Sequence, residues 1–362
     1  MMDPDRTPQS TQEHEVVIVG AGLAGSLLAL YLGRRGHAVR VYERRSDPRT
    51  HGFRGGRSIN LALSTRGIDA LERVGLADQV LEHAIPMRGR MMHSTTGELT
   101  LQPYSRDEAE VINSVSRGTL NLDILEAADA LDSVEFAFDQ QCTDVDLDER
   151  VLCFTNTEQG ASTAVRAKVI LGTDGAFSAL RGFMQRTDRF NYEQRYLEHG
   201  YKELTIPPTA SGEFAMDPHA LHIWPRGGFM MIALPNQDRS FTCTLFWPYR
   251  GPNGFETIRD GRTARSFFER MFPDALSLMP HLETEYDENP VSSLVTIRCS
   301  PWHYDGRILL LGDASHAIVP FYGQGMNAAF EDCVVFDRAL SASGGDWTAA
   351  IETFSAERKP DA

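Results

Sequence analysis

Continuous apolar runs rich in β-branched residues recur along the chain at wide intervals. Residues 15–19 are EVVIV, residues 167–172 are AKVILG and residues 307–312 are RILLLG. Such runs are typical of strands that are buried on both faces of a parallel sheet. We therefore predict an α/β fold whose central sheet is assembled from strands that lie far apart in the sequence.

The first run begins a strand–turn–helix–strand unit. After the strand and a glycine-rich turn, residues 26–35 predict a helix that ends with two arginines and is followed by Gly36. Basic residues in the last turn and a glycine just beyond it are common at helix C-termini. Residues 38–42 predict a second strand, which stops before Glu43. This order is typical of a Rossmann-like dinucleotide-binding unit.

The turn has the sequence GAGLAG, and each glycine in it has a mechanical role. Gly20 makes the tight turn, Gly22 lets the backbone approach a diphosphate, and Gly25 lets helix and strand pack closely. The helix N-terminus offers free N–H groups to the phosphates, and Glu43 can accept hydrogen bonds from ribose hydroxyls. The alternative is a glycine-rich turn without a ligand, and the motif alone does not separate FAD from NAD.

Two later strands each end near an aspartate. Asp174 follows the run at 167–172, and Asp313 follows the run at 307–312. An aspartate in this place can cap a helix or bind a ligand at the carboxyl edge of the sheet. Residues 323–327, GQGMN, then begin another helix. Its N-terminus favours negative charge, such as that on the ring of a reduced flavin.

Composition narrows the range of functions. The 362 residues carry a net charge of -15, which argues against nucleic acid as a partner because nucleic acid attracts clustered Lys and Arg. The five cysteines form no CxxC pair, so neither a disulfide framework nor a metal site is predicted. No stretch approaches the roughly 18 apolar residues of a membrane span, and we expect a cytoplasmic protein.

The glycine- and aspartate-bearing segments, in this order, resemble the fingerprints of the aromatic-hydroxylase class of FAD monooxygenases. The resemblance implies FAD as cofactor, with Asp313 hydrogen-bonded to a ribityl hydroxyl. It also implies that Asp174 lies near the pyrophosphate and the path of the nicotinamide cofactor. Met326 and Asn327 would lie against the isoalloxazine ring.

Longer segments resemble the kynurenine 3-monooxygenase family from about Glu15 to the C-terminus. They are GRSINLALS at 56–64, IPMRGRMMH at 85–93, SVSR at 114–117, HGYKELTIPP at 199–208, LHIWPR at 221–226, and IVPF, GQGMN and FEDC within 318–333. The resemblance implies hydroxylation of L-kynurenine to 3-hydroxykynurenine with O2, through a flavin C4a-hydroperoxide. NADPH would be a transient co-substrate, because no second glycine fingerprint follows the first.

Carried over residue by residue, the resemblance assigns Arg90 and Tyr104 to the carboxylate of L-kynurenine. A guanidinium can bind a carboxylate through two parallel charge-assisted bonds, and a phenol can add a third donor. Without the resemblance, Arg90 would be interpreted as a solvated charge and Tyr104 as a turn residue. The implied pocket lining is Leu221, Ile223, Phe246, Pro320 and Phe321, with His316 and Gln324 as polar residues that position the substrate. No residue is assigned a covalent or acid–base role.

The implied FAD contacts come from segments throughout the chain. They are Gly20, Gly22, Ala24, Gly25, Glu43, Arg44, Ala62, Arg117, Cys142, Asp174, Asp313, Gly325, Met326 and Asn327. Arg117 is expected to face the pyrophosphate. The backbone near Cys142 is expected to contact the adenosine, although Cys142 stands where the family usually has an aliphatic residue.

The predicted architecture is a Rossmann-like FAD-binding domain interleaved with a mainly antiparallel β-sheet substrate domain. The FAD-binding domain is predicted to comprise residues 14–70, 108–185 and 298–340. The substrate domain is predicted to comprise residues 71–107 and 190–297. Residues 341–362 are expected to begin a truncated C-terminal helical segment, and residues 1–13 to form a disordered tail. Family members continue with helices that complete the substrate pocket. Two alternatives therefore stay open: a flavin hydroxylase for another aromatic acid, and an FAD-binding protein with impaired catalysis. The oligomeric state is also open, with a homodimer as one candidate.

Overall fold

The computed structural model describes residues 11–51, 60–107 and 109–361. Its first sheet comprises β1 (Thr11–Val19), β2 (Val39–Tyr42), β8 (Val134–Ala137), β9 (Gln140–Asp146), β10 (Val151–Asn156), β11 (Ser162–Gly172), β17 (His303–Tyr304) and β18 (Ile308–Leu310). The strand order is β17–β18–β11–β1–β2–β8, and β10 and β9 join antiparallel beside β11. The pairs from β18 to β8 are parallel, which confirms the sheet predicted from the three apolar runs.

Helices pack against this sheet. They are α1 (Leu23–Arg34), α2 (Pro48–His51), α3 (Thr65–Glu72), α4 (Ala77–Glu82), α5 (Arg117–Asp129), α6 (Ala179–Met184), α10 (Asp313–His316), α11 (Gly325–Ala342) and α12 (Trp347–Arg358). Val17, Ile18 and Ile170 are fully buried in the shared core. Burial of each such side chain stabilises the fold by roughly 1.5–3 kcal/mol.

Two predicted boundaries differ from the structure. Strand β1 begins at Thr11 and pairs with β11 there, so residues 11–13 are not part of a disordered tail; residues 1–10 lie outside the described part of the chain. Leu71, Val74 and Val80 pack into the core of the first sheet, although the sequence pattern placed 71–107 in the substrate domain. An amphipathic helix shows which side is buried but not which sheet buries it.

The second sheet is mainly antiparallel. It comprises β16 (Ser292–Ser300), β12 (Asn191–Ile206), β15 (Phe241–Pro248), β14 (Met230–Pro235), β13 (Ala220–Pro225), β5 (Gly89–His93) and β6 (Leu99–Pro103), in that order. Its one parallel pair is β13 with β5. The back face packs against α7 (Gly261–Met271), α8 (Pro273–Leu276) and α9 (Leu282–Glu288), where Trp224, Leu245 and Phe268 are fully buried.

A small antiparallel sheet connects the two larger ones. It contains β3 (Asn60–Leu63), β4 (Ile85–Met87) and β7 (Ile112–Ser116), in the order β3–β7–β4. Asn60 and Ser114 each donate a side-chain hydrogen bond to the carbonyl of Pro235 at the end of β14. Among the described helices, none has both the length and the apolar character needed to cross a bilayer.

Candidate active site

The glycine-rich turn between β1 and α1 is packed tightly at two glycines and open at the third. Gly20 has φ of 102°, and an added Cβ would lie 2.8 Å from the carbonyl oxygen of Thr173. An added Cβ on Gly25 would lie 1.9 Å from the carbonyl oxygen of Gly20. A Cβ on Gly22 would meet nothing within 4 Å. The turn therefore leaves a free approach to its backbone at Gly22, where a diphosphate was predicted.

A cleft lies beside this turn, with the predicted acid on one wall. Glu43 accepts hydrogen bonds from the backbone N–H of Ala21 at 2.8 Å and of Arg45 at 3.0 Å. The cleft is lined by Ala21, Gly22, Leu23, Glu43, Arg45, Ser46, Pro48, Arg117, Asn121, Leu125 and Phe138. Arg117 is present there as predicted. Arg45 lines the cleft, and the predicted Arg44 beside it does not; the two residues lie in a bend that follows β2.

Asn121 is a cleft residue that the sequence analysis missed. Its side-chain amide lies 3.4 Å from the carbonyl oxygen of Ala21, and its Oδ1 atom is buried with no hydrogen-bond partner among the described residues. It is on α5, one helical turn after Arg117, so both side chains lie on the same helix face. That spacing was visible in the sequence once Arg117 had been assigned.

Asp174 caps a helix at the end of β11. Its Oδ2 atom accepts hydrogen bonds from the backbone N–H groups of Ala179 and Leu180, at 2.7 and 3.2 Å. Its Oδ1 atom is buried without a partner among the described residues, and burial raises the pKa of this carboxyl. The helix-cap interpretation therefore accounts for one oxygen of Asp174. The other oxygen is available to a ligand.

Asp313 follows β18 and is close enough to the cleft residue Arg117 to feel its charge. Its side chain is accessible to solvent, although protein atoms surround it closely. These surroundings raise the pKa of the carboxyl by desolvation, and the charges of His316 and Arg117 partly oppose the rise. Accessibility within such close surroundings is typical of a group that lines a concave ligand site. Gly312 has φ of 58°, and an added Cβ there would lie 3.5 Å from the Cβ of Ala24, so little space separates this turn from α1.

These features fit FAD. Gly22 admits the diphosphate and the start of α1 supplies N–H groups. Arg117 would neutralise phosphate charge, Glu43 would accept from the ribose, and Asp313 would bind a polar group of the linker. In the part of the chain that the structure describes, no group of three or more His, Cys, Asp or Glu side chains could hold a metal ion.

The start of α11 forms the loop beneath the second sheet. Asn327 is fully buried: its Oδ1 atom accepts from the backbone N–H of Ser64 at 3.0 Å, and its Nδ2 atom donates to the carbonyl of Ala62 at 2.9 Å. Gly323 has φ of 63°, and an added Cβ would lie 3.2 Å from the Cβ of Ala62. The Asn327 amide thus joins α11 to β3 and fixes the loop, rather than pointing its polar atoms at a ring. Met326 beside it is buried, whereas an added Cβ on Gly325 would make only an ordinary contact, 3.9 Å from Ile318.

The structure does not bring the predicted side chains of His316 and Gln324 to the pocket. His316 is 6% exposed, its Nε2 atom lies 2.6 Å from Asp332 Oδ2, and its ring packs near Trp302. Gln324 accepts a hydrogen bond from Arg66 at 2.7 Å, at the edge of the loop. The Cys142 side chain is also buried, in β9 opposite Phe154, and the adenosine contact predicted for the backbone near it stays a prediction. In each case a partner distant in sequence determines the side-chain position.

The front face of the second sheet combines apolar side chains with one arginine. Arg90 pairs in register with Leu221, and Ile223 pairs with Ile232, so these four side chains share one face. Phe246 lies on the same face, and its ring is 5.2 Å from that of Phe321 in a T-shaped contact. Phe321 belongs to a short 3-10 turn, Pro320–Tyr322, which directly precedes the loop at residues 323–325. The contact between Phe246 and Phe321 therefore places this loop against the sheet. Ile232 was missed, although its alternation along β14 signals the front face.

Arg90 and Tyr104 are neighbours at the β5–β6 end of this face. The guanidinium carbon of Arg90 lies 5.3 Å from the centre of the Tyr104 ring. The Tyr104 hydroxyl is buried and has no partner with hydrogen-bond geometry among the described residues. Burial raises the pKa of this phenol, and the charge of Arg90 and its polar contact with the hydroxyl partly oppose the rise, although that contact lacks hydrogen-bond geometry. A buried hydroxyl without a partner costs about 1–3 kcal/mol, which an acidic ligand bound by Arg90 would recover.

Comparisons with known proteins agree with this geometry. The family described as "FAD binding domain" matches residues 13–362. Kynurenine 3-monooxygenase of Myxococcus xanthus is 50% identical over 347 residues, which are 96% of this chain and 75% of that protein. Kynurenine 3-monooxygenase of Dictyostelium discoideum is 51% identical over 336 residues, which are 91% of this chain and 72% of that protein.

Solved structures show the same fold at lower identity. PqsL, a probable FAD-dependent monooxygenase from Pseudomonas aeruginosa, superposes with a TM-score of 0.77 at 23% identity, over 97% of this chain and 93% of that one. The 2-methyl-3-hydroxypyridine-5-carboxylic acid oxygenase superposes with a TM-score of 0.74 at 20% identity, over 97% and 88%. The fold, the matched family and the curated relatives lead to one conclusion. This chain belongs to the kynurenine 3-monooxygenase family of FAD-dependent monooxygenases.

Proposed function

We propose that this protein hydroxylates L-kynurenine to 3-hydroxykynurenine, with NADPH and O2 as co-substrates. The observation that carries the proposal is the Arg90–Tyr104 pair: a guanidinium beside a buried hydroxyl that lacks a partner among the described residues. An amino-acid carboxylate would accept two bonds from Arg90 and one from Tyr104, which satisfies both groups. The names of the curated relatives support the same substrate.

The remaining front face suits the aromatic part of the substrate. Leu221, Ile223, Ile232, Phe246 and Phe321 offer an apolar surface next to the loop at the start of α11. When bound, FAD would supply the redox chemistry, with NADPH as the hydride donor and O2 as the oxidant. The side chains orient the ring toward the cofactor and keep water away from the reaction.

The experiment follows NADPH oxidation by the FAD-loaded protein with L-kynurenine, with benzoate, and without an aromatic addition. We expect L-kynurenine to accelerate NADPH oxidation and to be converted to 3-hydroxykynurenine. Acceleration by benzoate with hydroxylated benzoate as product would instead favour a hydroxylase for another aromatic acid. A rate that no aromatic compound changes, in protein that retains FAD, would contradict the proposal.

A further inference from the structure

Behind the strand that carries Arg90 lies a buried chain of hydrogen bonds for which the proposed reaction gives no role. His93 Nδ1 is 2.7 Å from Asp274 Oδ2, His93 Nε2 is 2.8 Å from His222 Nδ1, and His222 Nε2 is 2.8 Å from the carbonyl oxygen of Asp217. His93 is 4% exposed and His222 is 2% exposed. We call Asp274, His93, His222 and the Asp217 carbonyl the histidine chain.

The histidine chain needs one more proton than two neutral imidazoles carry. It contains three hydrogen bonds, and each requires one proton. The Asp217 carbonyl can only accept, so His222 must carry a proton on Nε2. Two neutral imidazoles supply two protons for the three bonds. The third proton therefore belongs to one of the imidazoles or to Asp274.

The surroundings disfavour the third proton on His222 and on the Asp274 carboxylate. Burial is the main cause that lowers the pKa of His222, to about 4, so His222 is neutral near neutral pH. Burial raises the pKa of Asp274, but bonds from His93 and Trp224 and the charge of His93 outweigh this and lower it overall. Trp224 Nε1 donates to the same Oδ2 atom at 2.8 Å, which disfavours a proton there. The third proton therefore lies in the bond between the buried His93 ring and the partly exposed Asp274 carboxylate.

Two further charged groups face the histidine chain. Arg226, at the end of β13, donates from Nη1 to the carbonyl of His93 at 2.9 Å and from Nε to the carbonyl of Met271 at 2.5 Å. The Asp217 carboxylate lies near His222 and favours its protonation. The groups that face His93 and His222 are thus Asp274 on α8, Arg226 on β13 and Asp217 before β13. The two carboxylates favour retention of one extra proton and the single guanidinium opposes it, so the net charge of these neighbours favours retention.

The histidine chain holds the back of the strands whose front carries the substrate-binding side chains. Met91 pairs in register with His222, and Arg90 pairs with Leu221. Because side chains alternate along a strand, His93 and His222 point to the back while Arg90 and Leu221 point to the front. The His93–His222 bond therefore joins β5 to β13, and the His93–Asp274 bond joins β5 to α8.

We propose that the singly protonated histidine chain positions Arg90, by holding β5 against β13 and α8, so that affinity for the substrate carboxylate depends on the shared proton. The inference rests on the proposed role of Arg90 in binding L-kynurenine. His93, His222 and Asp274 are positioning residues, since none of them shares the front face. Loss of the proton removes one of three bonds and the charge that strengthens the other two.

The test uses Asp274→Asn in the FAD-loaded protein. Asparagine keeps the size and an acceptor oxygen but lacks the charge that holds the extra proton. We expect the dissociation constant of L-kynurenine near neutral pH to rise about tenfold, as for loss of one charge-assisted bond, with FAD affinity unchanged. Glu269→Gln is the matched control: Glu269 is 57% exposed on α7, and this variant should bind like the wild type.

Nitrogen-15 NMR of the histidine rings measures the proton count directly. In the wild type we expect one imidazole with both nitrogens protonated and a neighbour protonated on Nε2 alone; in Asp274→Asn the doubly protonated ring should be absent. Should Asp274→Asn fail to fold, His222→Gln breaks the same link, and we expect the same loss of affinity.

Two results would overturn the inference: two neutral rings in the wild type, or wild-type affinity in both variants. Failure of the proposed function looks different. In that case the wild type itself would not bind L-kynurenine, while the doubly protonated ring would still be present in its spectrum. The binding and NMR measurements therefore separate the two claims.

Discussion

At the scale of single residues, the site depends on a few positions where a small change in side chain has a large physical effect. Gly22 and Gly25 belong to the same turn, yet only Gly25 is enclosed by backbone atoms. Tyr104 has a buried hydroxyl that stabilises nothing among the described residues. Such positions separate effects on ligand binding from effects on folding, because the protein without ligand does not need the group in question.

Alanine at Gly22 and at Gly25 should give opposite patterns. Gly22 has φ of -73°, and an added methyl would enter open space, so we expect the stability of the FAD-free protein to change by less than about 0.5 kcal/mol. The same methyl would stand where the diphosphate approaches, so FAD affinity should fall. Gly25→Ala should unfold the domain, because its methyl would overlap the Gly20 carbonyl. Thermal unfolding and FAD titration measure both; normal FAD affinity in Gly22→Ala would contradict this account of the turn.

Substitutions at Arg90 and Tyr104 should affect substrate binding and leave FAD binding and folding intact. Arg90→Ala should weaken L-kynurenine binding by about tenfold to a hundredfold, the range for a hydrogen-bonded charged group, and should leave the flavin absorbance spectrum unchanged. Arg88→Ala is the control, since that side chain is exposed two residues away. Tyr104→Phe should also weaken binding, while the stability of the ligand-free protein stays equal or rises. A Tyr104→Phe protein that is less stable without ligand would show that the hydroxyl has a structural partner.

At the scale of secondary-structure elements, one buried carboxylate connects the elements that surround the loop at the start of α11. Asp332 on α11 accepts from the backbone N–H of Gly312 at 2.8 Å, from His316 at 2.6 Å and from Arg358 at 2.7 Å. It is fully buried, and Arg358 is 3% exposed. Asp332 therefore links the turn that carries Asp313 to both α11 and α12. His316 contributes to this link rather than to the pocket.

Asp332→Asn should loosen that turn. Removing the Asp332 charge from a buried ionic network leaves Arg358 with the partly exposed Glu331 as its remaining ion-pair partner, and we expect a loss of up to about 3–5 kcal/mol of unfolding free energy. We expect weaker FAD binding as well, because Asp313 sits on the turn that Asp332 holds. Asp337→Asn on the same helix is the control: Asp337 pairs with Arg35 at the surface, where such a pair is worth about 0–1 kcal/mol. Equal losses in the two variants, measured by denaturant unfolding, would contradict the role given to Asp332.

At the scale of the whole molecule, the protein places an FAD cleft at the edge of one sheet and an apolar face with one arginine on another. The parallel sheet and its glycine turn could be predicted because their signals are local: an apolar run, a tight turn and a helix within about thirty residues. The positions of His316 and Asn327 could not, since their partners Asp332 and Ala62 are set by packing between distant segments. Residues 71–80 were misassigned for the same reason.

The residues assigned to the substrate were identified from the family resemblance and not from sequence periodicity. Periodicity could place Leu221, Ile223 and Ile232 on one face of a sheet, but it could not say what lies above that face. The resemblance to the kynurenine 3-monooxygenase family named Arg90 and Tyr104, and the structure shows that the two are neighbours with one buried hydroxyl unsatisfied among the described residues. The family resemblance, the packing and the proposed chemistry therefore all support Arg90 and Tyr104 as the carboxylate site.

The central claim is that this face orients L-kynurenine for hydroxylation. The most direct test compares the amount of 3-hydroxykynurenine formed with the amount of NADPH consumed by the FAD-loaded protein. The account predicts that, with L-kynurenine present, nearly every NADPH consumed yields one molecule of 3-hydroxykynurenine, and that Arg90→Ala diverts consumption toward hydrogen peroxide at the same substrate concentration. NADPH consumption by the wild type that yields hydrogen peroxide and no 3-hydroxykynurenine would contradict it.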